Sequence, residues 1–163
     1  MKKFIAAVVP LGLALVASSS DARTFTFPQT GCRPILGSAG CIDYSQYGAH
    51  NVCGGTATVE CPLSVSYPTS GSFSVTSAAY FAYDRNTASD VSCTLQRTDF
   101  SGAVLFSTTV NTSGGGVGSG VQTGTFTVSQ NINGYWRLRC DLPGVQTAGW
   151  FSHISNTYLI SNE

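Results

Sequence analysis

Across residues 58–66 apolar and polar side chains alternate. Val59, Cys61, Leu63 and Val65 fall on one side, and Thr58, Glu60, Pro62 and Ser64 on the other. The same two-residue period places Phe73, Val75, Ala79, Phe81 and Tyr83 on one face of residues 72–83. It does so again for Val91, Cys93 and Leu95 within 90–99, and for Trp136, Leu138, Cys140 and Leu142 within 134–142. Successive strand side chains point to opposite sides, so this pattern predicts strands with one dry and one wet face, the habit of antiparallel sheets. Weaker strand patterns cover 42–51, 103–110, 121–129 and 150–160, and no helical period persists over ten residues.

Turn-forming residues separate these runs: Gly54-Gly55, Pro68-Thr69-Ser70-Gly71, Asp84-Arg85-Asn86, Ser101-Gly102 and Asn133-Gly134. They supply positive φ or side-chain caps. Asn133-Gly134 between apolar strands predicts a hairpin. About eight short strands with frequent turns predict an all-β fold, an antiparallel β-sandwich linked by disulfides, with a closed barrel as the alternative. The glycine-rich stretch 113–120 reads as a flexible hairpin loop; a phosphate-cradling loop would need a lysine after its glycines, and none follows.

The N-terminus departs from this pattern. Met1-Lys2-Lys3 precedes an uncharged apolar run from Phe4 to Ala17, and Ser20-Asp21-Ala22 offers small residues where a signal peptidase reads. This predicts a signal peptide over 1–22 and a single β-sandwich domain over 23–163. The run is shorter than the roughly 18 to 20 residues that span a bilayer, and Pro10 and Gly12 interrupt it, so no membrane span is expected. All six cysteines follow the leader, an even number suited to a secreted or periplasmic protein with three disulfides. Cys93 and Cys140 sit mid-strand among large apolar residues and are the expected core bridge. A chain reversal at Gly54-Gly55 would join Cys53 to Cys61 and leave Cys32 for Cys41. Zinc sites use cysteines two to four residues apart, a spacing this chain lacks, so no metal or other cofactor is expected.

Beyond the leader there is no lysine, and six arginines face seven acids. A chain so near neutrality has little attraction for nucleic acid or an anionic membrane. His50 and His153 are the two histidines. Ser152 and His153 are strand neighbours and point apart, so they cannot form a nucleophile–base pair. A triad of either histidine with a distant serine and Asp43 or Asp141 would lack the Gly-x-Ser-x-Gly elbow, and no catalytic residues are assigned. Asp84, Asn86 and Asp90 place three oxygen ligands in one connection, as calcium favours, without the glycine and terminal glutamate of a complete calcium loop. Tyr44, Tyr47, Tyr80, Tyr135 and Trp150 lie near turns or on predicted outer faces, where aromatic planes could stack on sugar rings.

Three stretches carry a resemblance. Tyr44-Ser45-Gln46-Tyr47-Gly48-Ala49-His50-Asn51 leads into Val59-Glu60-Cys61-Pro62-Leu63; Ser92-Cys93-Thr94-Leu95 precedes Asp99-Phe100-Ser101-Gly102; and Leu138-Arg139-Cys140-Asp141-Leu142-Pro143 precedes a last strand. Together they resemble a group of small secreted bacterial β-sandwich proteins of similar length. The resemblance implies one exported β domain of bacterial origin and brings no activity with it. The expected function is therefore an exported, non-enzymatic structural or binding module for an extracellular or cell-surface ligand. A carbohydrate-binding module is the alternative, and a secreted hydrolase the third reading.

Overall fold

The computed structural model describes residues 22–28, 31–35, 37–64, 74–116 and 119–162. The leader expected over 1–22 lies outside them, except for Ala22. The described chain forms β1 (Ala22–Pro28), β2 (Arg33–Ile35), β3 (Ile42–Ser45), β4 (Gly48–Asn51), β5 (Ala57–Leu63), β6 (Ser74–Tyr83), β7 (Ser92–Thr98), β8 (Val104–Asn111), β9 (Val121–Asn131), β10 (Tyr135–Leu142) and β11 (His153–Asn162). One sheet has the order β3-β4-β11-β6-β9, with β1 also paired to β11; the other has β2-β5-β10-β7-β8. All pairings are antiparallel. The expected all-β antiparallel sandwich is the fold, with eleven strands in place of about eight. β1 and β2 were not anticipated, and residues 42–51, read as one strand, form the β3–β4 hairpin.

The core lies between the sheets. Val59, Cys61 and Leu63 from β5, Cys93 and Leu95 from β7, and Trp136, Leu138, Cys140 and Leu142 from β10 are buried on the predicted side. They meet Val75, Ala78, Tyr80, Ala82, Phe126, Ile154 and Leu159 from the six-stranded sheet. Here the expected phase of β6 is corrected. A bulge between Val75 and Ser77 shifts its register against β9, so Val75 and Ala78 both face inward. Beyond the bulge Tyr80 is buried, while Ala79, Phe81 and Tyr83 turn outward. The Tyr80 hydroxyl donates to the Val110 carbonyl of the opposite sheet (3.0 Å), and its ring lies over Gly124, where a Cβ would collide with it.

Two expected hairpins are crossings instead. Asn133-Gly134 links β9 to β10, and 113–120 links β8 to β9, each passing from one sheet to the other. Three disulfides are present, and two of the expected pairings are replaced. Cys93 bonds to Cys140, its register partner across β7 and β10. Cys32 bonds to Cys61, not Cys41: β2 runs beside β5 with Arg33 opposite Glu60, so the residues one step further out face each other. Cys41 bonds to Cys53, closing the open end of the β3–β4 hairpin, where Val52 N–H donates to the Cys41 carbonyl. Gly54-Gly55 carries the chain across to the other sheet rather than reversing it, and this separates Cys53 from Cys61. Three disulfides suit an oxidising compartment. Among the described residues no helix is long and apolar enough to cross a membrane.

Candidate functional site

The two outer faces differ in chemistry. On the five-stranded sheet, polar side chains satisfy one another. Arg137 pairs with Glu60 (3.2 Å) and donates to Gln96, Thr94 bonds to Thr109, and Thr58 donates to Asp141.

The six-stranded sheet carries rings instead. Its pairing registers align Asp43, His50, His153, Tyr83 and Val121 in one row across β3, β4, β11, β6 and β9. The next rows hold Asn156, Phe81 and Thr123, then Tyr158, Ala79 and Thr125. Tyr83 stacks on His153 (centroids 4.4 Å, 29°), Tyr47 is tilted to the same ring (6.2 Å, 41°), and Phe81 meets Tyr158 edge-on at 86°. Tyr47 comes from the β3–β4 turn and is 59% exposed; Trp150 comes from the β10–β11 connection and is 39% exposed. Two hollows of about 370 Å³ each adjoin here, with Tyr47 a wall of both. Trp150, Phe151, His50 and Arg85 line one; Phe81, Tyr83, Asn156 and Tyr158 line the other.

Arg85 follows β6, and its guanidinium carbon lies 5.3 Å from the Tyr83 ring centre and 5.1 Å from that of Trp150, within cation–π range. The turn beneath it is pinned. Asp84 is fully buried. Its Oδ1 accepts from Asn86 N–H (3.1 Å) and Ser152 Oγ (3.4 Å), and its Oδ2 from Thr112 Oγ1 (2.6 Å) and Val91 N–H (3.2 Å). Arg85 N–H donates to Ser152 Oγ (2.9 Å). Gly115 of the glycine-rich crossing packs directly on Asp84, where any Cβ would meet the carboxylate carbon. Gly115 and Gly116, within the stretch read as a flexible loop, thus pack on Asp84, and Gly116 N–H donates to the Asp84 carbonyl. Asn86 Oδ1 accepts from Ala88 and Ser89 N–H, and its amide donates to Gly144. The oxygens of Asp84 and Asn86 are therefore taken by protein donors, and Asp90 is exposed. No cluster of three His, Cys, Asp or Glu suited to a metal occurs among the described residues.

The histidines are brought side by side, which the sequence could not show. Asp43 Oδ2 lies 3.9 Å from His50 Nε2. His153 Nδ1 faces the Phe151 carbonyl (3.3 Å), and its buried Nε2 has no partner among the described residues. Burial, with smaller contributions from His50 and Arg85, holds the His153 pKa below its usual 6.5. Ser152 points inward to Asp84, opposite His153, as strand alternation requires. Ser45 shares the hollow with both histidines, but its Oγ accepts from Tyr47 N–H, and no hydrogen bond joins it to either ring among the described residues. Asp141 lies on the other sheet.

The remaining expected aromatics part company. Tyr44 directs its hydroxyl to the Cys32 carbonyl (2.8 Å), and Tyr80 is in the core. Tyr135 lines a groove of about 710 Å³ at the opposite end of the sandwich, by the β7–β8 turn. There Tyr135 (60% exposed) and Phe100 (82% exposed) meet edge to face at 82°, so they offer no common plane. Asp99 is occupied by Ser101 and Ala103 of its own turn, first among them the Ser101 hydroxyl, and these bonds lower its pKa. The residues of the ring-lined face that sequence reading missed are Phe81, Tyr83, Tyr158 and Arg85. The period-two signal assigned Phe81 and Tyr83 to the core because the β6 bulge is silent in it.

No protein-family model and no curated protein matches this chain. Solved structures do match it. A xylan-binding module, CBM15, aligns at 13% identity and a TM-score of 0.50, over 87% of this chain and 97% of that one. TmCBM61, solved with β-1,4-galactotriose, aligns at 10% identity and 0.37, over 86% of each. The enzymatically active domain of tailspike protein 4 from bacteriophage CBA120 aligns at 7% identity and 0.43, over 85% of this chain and 18% of that one. At such identities the likeness is one of fold, and CBM15 is the neighbour of these three whose score supports even that.

Proposed function

We propose that this chain is an exported, non-catalytic module that binds a single glycan chain along the ring-lined face of its six-stranded sheet. The observation that carries this reading is the pair of adjoining hollows walled by Tyr47, with Tyr83, Phe81 and Tyr158 on one side and Trp150 on the other. Sugar rings present C–H faces that pack on aromatic planes, and among the described residues Tyr47 and Trp150 are exposed at these hollows. The tilts of 29° and 41° between neighbouring rings favour a twisted, soluble chain over a flat crystalline surface. The sandwich fold shared with a xylan-binding module supports the same reading. The disulfides support export. The engagement of Ser45 and Ser152 with other partners supports the absence of a serine nucleophile.

Titration calorimetry against soluble oligosaccharides tests the proposal. Trp150→Ala and the double variant Tyr47→Ala with Tyr83→Ala are each expected to weaken binding about tenfold or more, as loss of an aromatic anchor does. Tyr135→Ala, at the far groove, should leave it unchanged. Equal loss in the Tyr135 variant, or binding to crystalline cellulose, would refute the assignment of this face.

A further inference from the structure

We infer that the ligand of this face is an acidic glycan, and that Arg85 holds a uronic-acid carboxylate. The inference rests on the glycan reading above and adds the substrate class. Among the described residues no carboxylate lies within ion-pair distance of Arg85, and its guanidinium donates to no protein acceptor. The other arginines of this domain do not line the hollows: Arg137 is paired with Glu60, Arg97 donates to the Asn131 carbonyl, Arg33 and Arg139 lie on the five-stranded sheet, and Arg23 on β1 is opposite Ser161, at the end of β11 remote from His153. Arg85 is thus the cation of the site.

Its setting matches carboxylate recognition in three ways. The Tyr83 and Trp150 rings flank the guanidinium within cation–π range, its N–H groups meet no acceptor among the described residues, and a guanidinium offers a fork that matches a carboxylate bidentately. The backbone carrying it is pinned on both sides by Asp84 and Asn86, so little freedom is lost on binding. Asp43, the acid in the Tyr83 row, sits beside His50 (3.9 Å) and makes no ion pair with Arg85. Asp84 is turned inward and its four acceptor positions are filled. A neutral sugar would leave the guanidinium edges to water, whereas a uronate set on the rings would bring its carboxylate to them.

The test is calorimetry on the intact exported protein with oligogalacturonate, oligomannuronate and glucuronoxylan fragments. Each is paired with its carboxyl-reduced counterpart, and a sulfated polysaccharide is included. At least one uronate should bind about tenfold more tightly than its reduced form, the gain of one charge-assisted bidentate contact. Arg85→Gln should abolish that preference, bringing the uronate and its reduced form to the same affinity, and Arg85→Lys should restore the preference only in part. A thermal melt of each variant controls for folding. Equal affinity for acidic and reduced forms, with Trp150 still required, would overturn the carboxylate assignment and leave the glycan reading standing. Tighter binding of the sulfated polysaccharide than of any uronate would also overturn it. Failure to bind any member of the panel would overturn both.

Discussion

Replacing Asp84 by asparagine keeps the shape of the side chain and removes its charge. The carboxylate has four donors, two on each oxygen: Asn86 N–H and Ser152 Oγ on one, Val91 N–H and Thr112 Oγ1 on the other. An amide NH₂ must take one of these positions, and in either orientation it meets a backbone N–H. The hydroxyls cannot relieve the conflict freely, because Ser152 Oγ also accepts from Arg85 N–H and Thr112 Oγ1 from Val91 N–H. One charge-assisted bond is lost and one buried donor is stranded, a cost of about 3 kcal/mol. Domains of this size hold about 5 to 15 kcal/mol, so the midpoint of thermal unfolding should fall by roughly 10 °C. A thermal melt followed by tryptophan fluorescence measures the midpoint, and urea unfolding measures the free energy. Asp90→Asn, exposed on the same connection, should stay within about 0.5 kcal/mol of the parent. Gly115→Ala drives a methyl into the same carboxylate from the other side and should destabilise in the same direction. An Asp84→Asn variant as stable as the Asp90 control would refute the reasoning. If Gly115→Ala alone were costly, the strain would lie in the backbone crossing and not in the carboxylate.

The disulfides should differ in worth with the length of loop they close. The separations are 47 residues for Cys93–Cys140 and 12 for Cys41–Cys53. Chain entropy then assigns about 4 and about 3 kcal/mol, and the fully buried Cys93 and Cys140 add a cavity when truncated. Denaturant unfolding of the two double alanine variants should rank them in that order, and the reverse order would refute it. His153 should make stability pH-dependent. Its folded pKa is held below 6.5 by burial first, so the unfolded chain binds the proton more readily than the folded one. Stability is full above about pH 6.5 and is lost as pH falls through the lowered folded value. Comparing urea midpoints at about pH 7.5 and 5.5, His153→Gln should flatten the difference; an unchanged slope would exclude His153 as its source.

The two-residue alternation alone determined the class of fold and the buried side of β5, β7 and β10. Their core-facing residues are separated by unbroken steps of two, and local chain geometry turns such steps directly into faces. The placement of Cys93 and Cys140 in the core followed from the same phase. Elsewhere the decisive information was non-local. A single bulge after Val75 inverted the outer part of β6, hid Tyr80 and presented Phe81 and Tyr83 to solvent. Which strands adjoin decided the other two disulfides, because a bridge requires register across a sheet and chain proximity does not supply it. The candidate site shows the same division. Tyr47 and Trp150 were legible as exposed rings beside turns, whereas their union with Tyr83, His153 and Arg85 depends on β4, β11 and β6 lying side by side. Asp84 and Asn86 carried the composition of a cation loop, and burial turned their oxygens toward N–H and O–H donors of the chain itself. A sequence specifies which groups can accept a hydrogen bond; packing decides whether the protein or a ligand supplies the donor.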